Sequence, residues 1–196
     1  MKLAIIKYNA GNIRSVLNAL DRLGVAGAVT DDPAEIRAAD KVIFPGVGEA
    51  STAMESLRSN GLDAVLRGLT QPVLGICVGM QLLCRHSEEN DTDALGIIPV
   101  SVRRFRPGAE SHKVPQVGWN TVHDLRTPLF AGIADGSYVY NVHSYYAEDS
   151  PYTIARCHYI VDYAAAVNKD NFYGVQFHTE KSADAGDRII KNFLEL

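Results

Sequence analysis

The order of segments along the chain predicts an α/β protein. It has a three-layer, open, largely parallel sheet with helices on both faces and a strand-rich second half. Three observations carry this. Short apolar runs alternate with amphipathic stretches as far as Arg85. Beyond Gly96, strand-like segments follow one another through turns. No linker, repeat or low-complexity stretch interrupts the 196 residues, so a single domain over 1–196 is expected.

Residues 3–6 read as a buried strand. A turn at Asn9-Ala10-Gly11-Asn12 leads into a helix with Ile13, Val16, Leu17, Leu20 and Leu23 on one face. Gly24 stands where a left-handed residue ends a helix. After a strand over 25–30, Asp32 caps and Pro33 opens a short helix towards Ala39. A third strand, 41–44, is broken by Pro45-Gly46-Val47-Gly48. Helical stretches at 53–57 and 62–69 precede the apolar strand 73–76, and 79–85 reads as another helix. Strands and helices alternating at these lengths imply parallel strands covered on both faces. The second half reads as strands at 100–105, 119–122, 138–142, 153–159, 164–168 and 172–177. Lys169-Asp170-Asn171 makes a hairpin turn, and an amphipathic helix over 185–194 closes the chain.

Composition narrows the function classes. Charged residues make up 21% and the hydrophobic set 46%, values typical of a globular protein. With net charge −4 and only Arg103, Arg104 and Arg106 as a short basic run, no basic stripe is available for nucleic acid. The apolar run after Met1 is too short for a signal peptide, and nothing approaches the roughly 18 apolar residues of a membrane span. The expectation is a soluble, cytoplasmic protein without a membrane partner. Cys77, Cys84 and Cys157 lack metal-like spacing and are odd in number, and the six histidines form no metal motif. Neither a metal nor a cofactor is expected.

Cys77 lies in Leu74-Gly75-Ile76-Cys77-Val78-Gly79-Met80-Gln81, between a buried strand and a helix. An isolated cysteine is most often a buried structural residue. Here glycines two positions before and after it give the spacing of a nucleophile elbow, where side chains would clash with the tight backbone. The helix start beyond it favours a thiolate. Cys84 and Cys157 have no such setting and read as core. A thiolate needs a proton acceptor, and His178 in Gln176-Phe177-His178-Thr179-Glu180 is the best candidate. In extended chain His178 and Glu180 share a face, so the carboxylate can orient the imidazole. Taken alone the pair also reads as a solvated strand end. Gly46 and Gly48 follow a strand, where a backbone close to a ligand could hold an oxyanion.

Together these segments resemble the class I, triad-type glutamine amidotransferases. Gly11-Asn12, Pro45-Gly46-Val47-Gly48, Met80, Val117-Gly118-Trp119-Asn120, Val142-His143-Ser144-Tyr145 and Glu180-Lys181-Ser182 resemble one branch. That branch is the glutaminase subunits of imidazole glycerol phosphate synthase. The resemblance implies Cys77 as nucleophile, His178 as base and acid, and Glu180 as its orienting partner. It implies an oxyanion site at Gly46, Val47, Gly48 and Val78, with Gln81, Ser144 and Tyr145 on the amino-acid end of glutamine. It further implies ammonia transfer to a (β/α)8-barrel cyclase subunit, docked through Asn12, Trp119, Tyr138 and Lys181. From the residues alone, Trp119 reads equally as a core tryptophan, Lys181 as a solvated charge and Asn12 as a turn former.

Two departures stand out. The family usually has proline where this chain has Thr179, which leaves the turn between base and carboxylate looser. Gln116 stands where histidine is frequent. The alternatives are an amidotransferase subunit of another synthase, such as anthranilate synthase, a different cysteine hydrolase, and a non-enzymatic module retaining the fold.

Overall fold

The computed structural model describes residues 1–9, 12–108 and 113–196, so Ala10 and Gly11 of the expected first turn lie outside the described residues. The first half alternates as expected. It runs β1 (Leu3–Ile6), α1 (Ile13–Arg22), β2 (Ala28–Thr30), α2 (Pro33–Arg37), β3 (Lys41–Gly46), α3 (Ala50–Ser59), α4 (Leu62–Arg67), β4 (Val73–Cys77) and α5 (Val78–Leu83). Local chemistry sets several boundaries. Asp32 accepts hydrogen bonds from the Ala34 and Glu35 amides with Pro33 in the first turn of α2, and Gly24 (φ +69°) follows α1.

The second half comprises β5 (His86–Ser87), β6 (Thr92–Asp93), β7 (Ser101–Arg104), β8 (Gln116–Val122), β9 (Ser137–His143), β10 (Tyr145–Ala147), β11 (Thr153–Tyr159), β12 (Val161–Lys169), β13 (Phe172–Val175) and α6 (Ala183–Glu195). One sheet runs β2-β1-β3-β4-β13-β12-β10-β7-β5-β6, with β11 paired to β12. Its β2-β1-β3-β4-β13 portion is parallel and buried throughout β1, β3 and β4, as strands covered on both faces must be. β12 is antiparallel to β13, and β11 and β12 form a hairpin. β8 and β9 form a separate two-stranded ribbon.

β3 runs two residues further than the sequence suggested. It continues through Pro45 and Gly46, paired with Ile76 and Cys77 of β4. A proline is tolerated because the β1 pairing ends at Ile5 with Ile43, so that side of β3 is already free of ladder bonds. The extension brings the Pro45-Gly46-Val47-Gly48 segment alongside the elbow. α5 is also shorter than its predicted span and begins immediately after Cys77.

Candidate active site

β4 delivers Cys77 to the end of the parallel sheet, and the chain turns at once into α5. Cys77 itself has φ 55° and ψ −112°, a strained conformation for a residue with a side chain. The strain is enforced by packing. A Cβ on Gly79 would lie 1.9 Å from the Phe44 carbonyl oxygen, so α5 sits directly on β3 and cannot relax outward. Because α5 has only six residues, its dipole contributes less to a thiolate than a long helix would.

Cys77 opens into a cleft of about 370 Å³, also lined by Val47, Gly48, Val78, Gln81, Ser144, Tyr145 and His178. All but two of the predicted catalytic and substrate residues therefore meet in one cavity. The exceptions are Gly46 and Glu180. Gly46 lies below the cleft, against Gly79 and the Tyr8 hydroxyl. Glu180 is buried behind His178, with its Oε1 2.8 Å from His178 Nδ1. Gly48 has φ +91° and open space around its Cα, so the need for glycine there is conformational rather than steric.

The His178–Glu180 contact forms by a different geometry from the extended one expected. β13 ends at Val175, and Thr179–Lys181 make a 3-10 turn capped by His178. The turn folds the carboxylate back onto the imidazole. Burial alone would lower the His178 pKa, but hydrogen bonds to Cys77 and Glu180 and their negative charges raise it to about 10. The imidazole is thus held between the Cys77 sulfur and the Glu180 carboxylate, the arrangement by which a base serves a thiol nucleophile. Ser182 braces the turn, donating to the His178 carbonyl at 2.6 Å and accepting from the Tyr140 amide at 2.9 Å.

The other two thiols are inert by comparison. Burial pushes Cys84 up to about 12 and Cys157 up to about 11. Among the described residues no cluster of His, Cys, Asp and Glu could hold a metal ion. No helix of the described residues is long and apolar enough to cross a membrane.

Sequence reasoning missed three residues of the site. Glu89 lines the cleft opposite Cys77, with one carboxylate oxygen accepting from the Ala50 amide at 2.7 Å; burial and the nearby Glu49 charge raise its pKa. In sequence it stands in a run of polar residues that reads as a solvated loop. His143 also lines the cleft, and burial lowers it to about 4, keeping it neutral. Gln176, fully buried, holds its side-chain nitrogen 3.8 Å from the Cys77 sulfur.

Gln81 can be read more sharply than its sequence allowed. Its Nε2 donates to the Tyr145 carbonyl at 3.0 Å and to Gln176 Oε1 at 2.9 Å. Both donors are used, so what Gln81 offers the cleft is an acceptor oxygen.

The predicted partner residues lie on or beside the ribbon. Along β8 and β9 the inward face is mixed, with Val122 and Val139 in the core beside polar side chains. Gln116, Asn141 and His143 face inward and are buried, whereas Val117, Trp119, Tyr138 and Val142 face outward and are exposed. Trp119 is 53% exposed and Tyr138 63%, so Trp119 is no core tryptophan. Lys181 and Val142 line the cleft mouth, and Asn12 lies at the start of α1 with no side-chain capping bond.

Comparison with known proteins agrees with this geometry. A model of the family described as "Glutamine amidotransferase class-I" matches residues 4–196. The imidazole glycerol phosphate synthase subunit HisH of Bacteroides fragilis is 58% identical over 196 residues, covering all of both chains. The corresponding HisH 2 protein of Legionella pneumophila is 49% identical over 195 residues, covering 99% of this chain and 98% of its own. Among solved structures, a putative GMP synthase protein from Thermoplasma acidophilum superposes with a TM-score of 0.75 at 21% identity, covering 100% of this chain and 93% of that one; this likeness speaks to fold alone. The chain belongs to the class I glutamine amidotransferases and, within them, to the HisH subunits of imidazole glycerol phosphate synthase.

Proposed function

We propose that the chain acts, as one domain over residues 1–196, as the glutaminase of an imidazole glycerol phosphate synthase. Glutamine enters the cleft with its side-chain amide at Cys77. The sulfur attacks the amide carbon, His178 passes a proton to the leaving nitrogen, and ammonia departs from a γ-glutamyl thioester. Water deprotonated by His178 then releases glutamate and the sulfur. Glu180 fixes the imidazole tautomer and stabilises its charged form. Backbone N–H groups of Val78 and of the Val47-Gly48 segment, with Gly46 seating that segment on α5, take the oxyanion.

The zwitterionic end of glutamine needs an acceptor for its ammonium and donors for its carboxylate. Gln81 and Glu89 suit the first, and Ser144 and Tyr145 the second. The single observation carrying this reading is one cleft that joins a strained elbow cysteine to an imidazole kept protonated by that cysteine and a buried carboxylate.

Ammonia then passes to a (β/α)8-barrel cyclase, which uses it to make imidazole glycerol phosphate and an aminoimidazole carboxamide ribotide; the complex works in the cytoplasm. Asn12, Trp119, Tyr138 and Lys181 supply the docking surface. The outward apolar face of the ribbon supports this, because contiguous exposed aromatic surface marks interaction sites. Val142 belongs both to that face and to the cleft, so a partner seated there covers the exit.

The test is the division of labour. In the reconstituted complex, Cys77→Ser abolishes glutamine-dependent synthesis, while ammonium salt still supports it. Equal loss of both activities would refute the assignment.

A further inference from the structure

We propose that the Gln176 carboxamide is a catalytic group in its own right, an N–H donor that anchors the Cys77 sulfur and whose direction is imposed by a buried polar chain. The proposal rests on the reading of Cys77 as nucleophile.

An amide's oxygen and nitrogen are interchangeable in shape, so its direction has to be argued from neighbours. The Tyr145 carbonyl can only accept. It receives His143 Nδ1 at 2.8 Å and Gln81 Nε2 at 3.0 Å. This fixes which end of Gln81 carries the hydrogens. The remaining Gln81 N–H meets Gln176 at 2.9 Å, so Gln176 must present its oxygen there. Its nitrogen is left facing the Cys77 sulfur at 3.8 Å. Reversing Gln176 would set its oxygen against the Cys77 sulfur and N–H against N–H, two unfavourable contacts between buried groups.

The same carbonyl fixes His143 as the Nδ1–H tautomer, leaving Nε2 as an acceptor with the Tyr163 hydroxyl oxygen 3.4 Å away. That hydroxyl also reaches Gln116 Oε1 at 3.1 Å. From His143 through the Tyr145 carbonyl and Gln81 to Gln176 the donor directions form one consistent set, and His143, Gln81 and Gln176 are buried; Tyr163, donating to Gln116, packs against the His143 end. Gln116, His143 and Tyr163 are positioning residues; only Gln176 touches the reacting atom.

Gln176 could instead serve merely to hold Gln81 for substrate, and the two roles differ in their readout. A thiolate donor lowers the pH at which Cys77 becomes reactive, whereas a prop for Gln81 changes glutamine affinity. The other titratable groups facing Cys77 are His178 and Tyr8, with His143, Glu89 and Lys181 also lining the cleft, and none is itself replaced by substitution at 176.

The experiment follows alkylation of Cys77 by iodoacetamide against pH in the full chain, read by mass spectrometry of the Cys77 peptide. Gln176→Met removes the donor at similar length, and Gln176→Glu keeps the acceptor for Gln81 while turning a carboxylate towards sulfur. The midpoint should rise by about one pH unit in Gln176→Met, the worth of one hydrogen bond to a charged group, and further in Gln176→Glu. In complex with the cyclase, kcat should fall about ten-fold with KM for glutamine within about two-fold. An unmoved midpoint in folded variants, or a change confined to KM, overturns the proposal.

Should both variants fail to fold, the unsubstituted chain decides. The Gln176 side-chain amide resonance should shift as Cys77 titrates and stop doing so in Cys77→Ala, and a resonance indifferent to Cys77 overturns the proposal. If Cys77 is not alkylated in preference to Cys84 and Cys157, the nucleophile assignment itself fails. If that preference holds and only the midpoint stays put, Gln176 alone is refuted.

Discussion

At the elbow, β3, β4 and α5 meet without room for a methyl group, and Phe44, Ile76, Met80 and Leu83 around it are buried to within 1%. The ribbon β8–β9 stands beside it with its large side chains turned the other way, Val117 being 62% exposed. The elbow is stabilised wholly within the chain, by burial and close packing that hold a strained cysteine in place. The ribbon buries Gln116, Asn141 and His143 beside Val122 and Val139, and leaves Val117, Trp119, Tyr138 and Val142 exposed. The two regions are joined by short bonds. The His178 amide donates to the Tyr140 carbonyl at 2.9 Å, and Ser182 links the Tyr140 amide to the His178 carbonyl. The strained cysteine is thus tied, through His178, to the ribbon.

The sharpest way to break this comparison is to damage each region and ask which property falls. Gly79→Ala drives a methyl into the Phe44 carbonyl, and backbone cannot swing aside as a flexible side chain can. It should cost about 3 kcal/mol or more of folding stability in the isolated chain. Trp119→Ala should leave the isolated chain within about 0.5 kcal/mol of its original stability but weaken cyclase binding by about 2 kcal/mol. Thermal melts of the free chain and calorimetric titration with the cyclase separate the two. Loss of folding stability in Trp119→Ala would mean that the ribbon face is structural.

The same contrast explains what the sequence made legible. The elbow is a local pattern, because Gly75, Cys77 and Gly79 meet through their own backbone. The His178–Glu180 pair is equally local, although a 3-10 turn and not an extended strand makes it. The ribbon was legible as alternation but not as orientation. Val117-Gly118-Trp119-Asn120 shows two faces, and nothing in it says that the apolar one turns outward. That depends on Gln116 and His143 finding partners on β12 and β10, and on Asn141 turning back to the Val139 carbonyl of its own strand. Glu89 and Gln176 escaped notice as site residues for the same reason, since their roles arise from segments distant in sequence. The paired strands β5 and β6 are too short for any periodicity to reveal, and Pro45 disguised the end of β3.

The comparison is sharpened again through pH. His143, on the inward face of the ribbon, is held near a pKa of about 4, below its unfolded value. The unfolded chain therefore binds its proton first as pH falls, and stability should drop between about pH 6.5 and pH 4. His178 at the elbow is held up at about 10. Its contribution is complete below about pH 6.5 and is lost as pH rises through its folded value. Each limb should be worth about 3–5 kcal/mol, the alkaline one the larger. His143→Asn keeps a donor where Nδ1 stands and does not titrate, so denaturant unfolding at stepped pH should lose the acid limb and keep the alkaline one. Retention of the acid limb would assign it to other groups.

The smallest expected effect tests whether the base is held as firmly as the nucleophile. Thr179 is fully buried between His178 and Glu180, and among the described residues its hydroxyl has no hydrogen-bond partner. The free Glu180 oxygen, Oε2, is likewise unpartnered, so the threonine does not serve the carboxylate it stands beside. A buried hydroxyl without a partner costs about 1–3 kcal/mol, and valine has nearly the same shape without it. Thr179→Val should therefore raise stability by about 1 kcal/mol, moving the melting midpoint upward by a few degrees, while leaving glutamine turnover in the complex unchanged. The turn is held at its far end by Gly186, where a Cβ would strike the Thr179 carbonyl at 1.9 Å, and by the Ser182 bonds to His178 and Tyr140. These braces stand where proline would otherwise stiffen the chain. If Thr179→Val lost activity while gaining stability, the hydroxyl would have a role in turnover, and the elbow's self-sufficiency would not extend to its base.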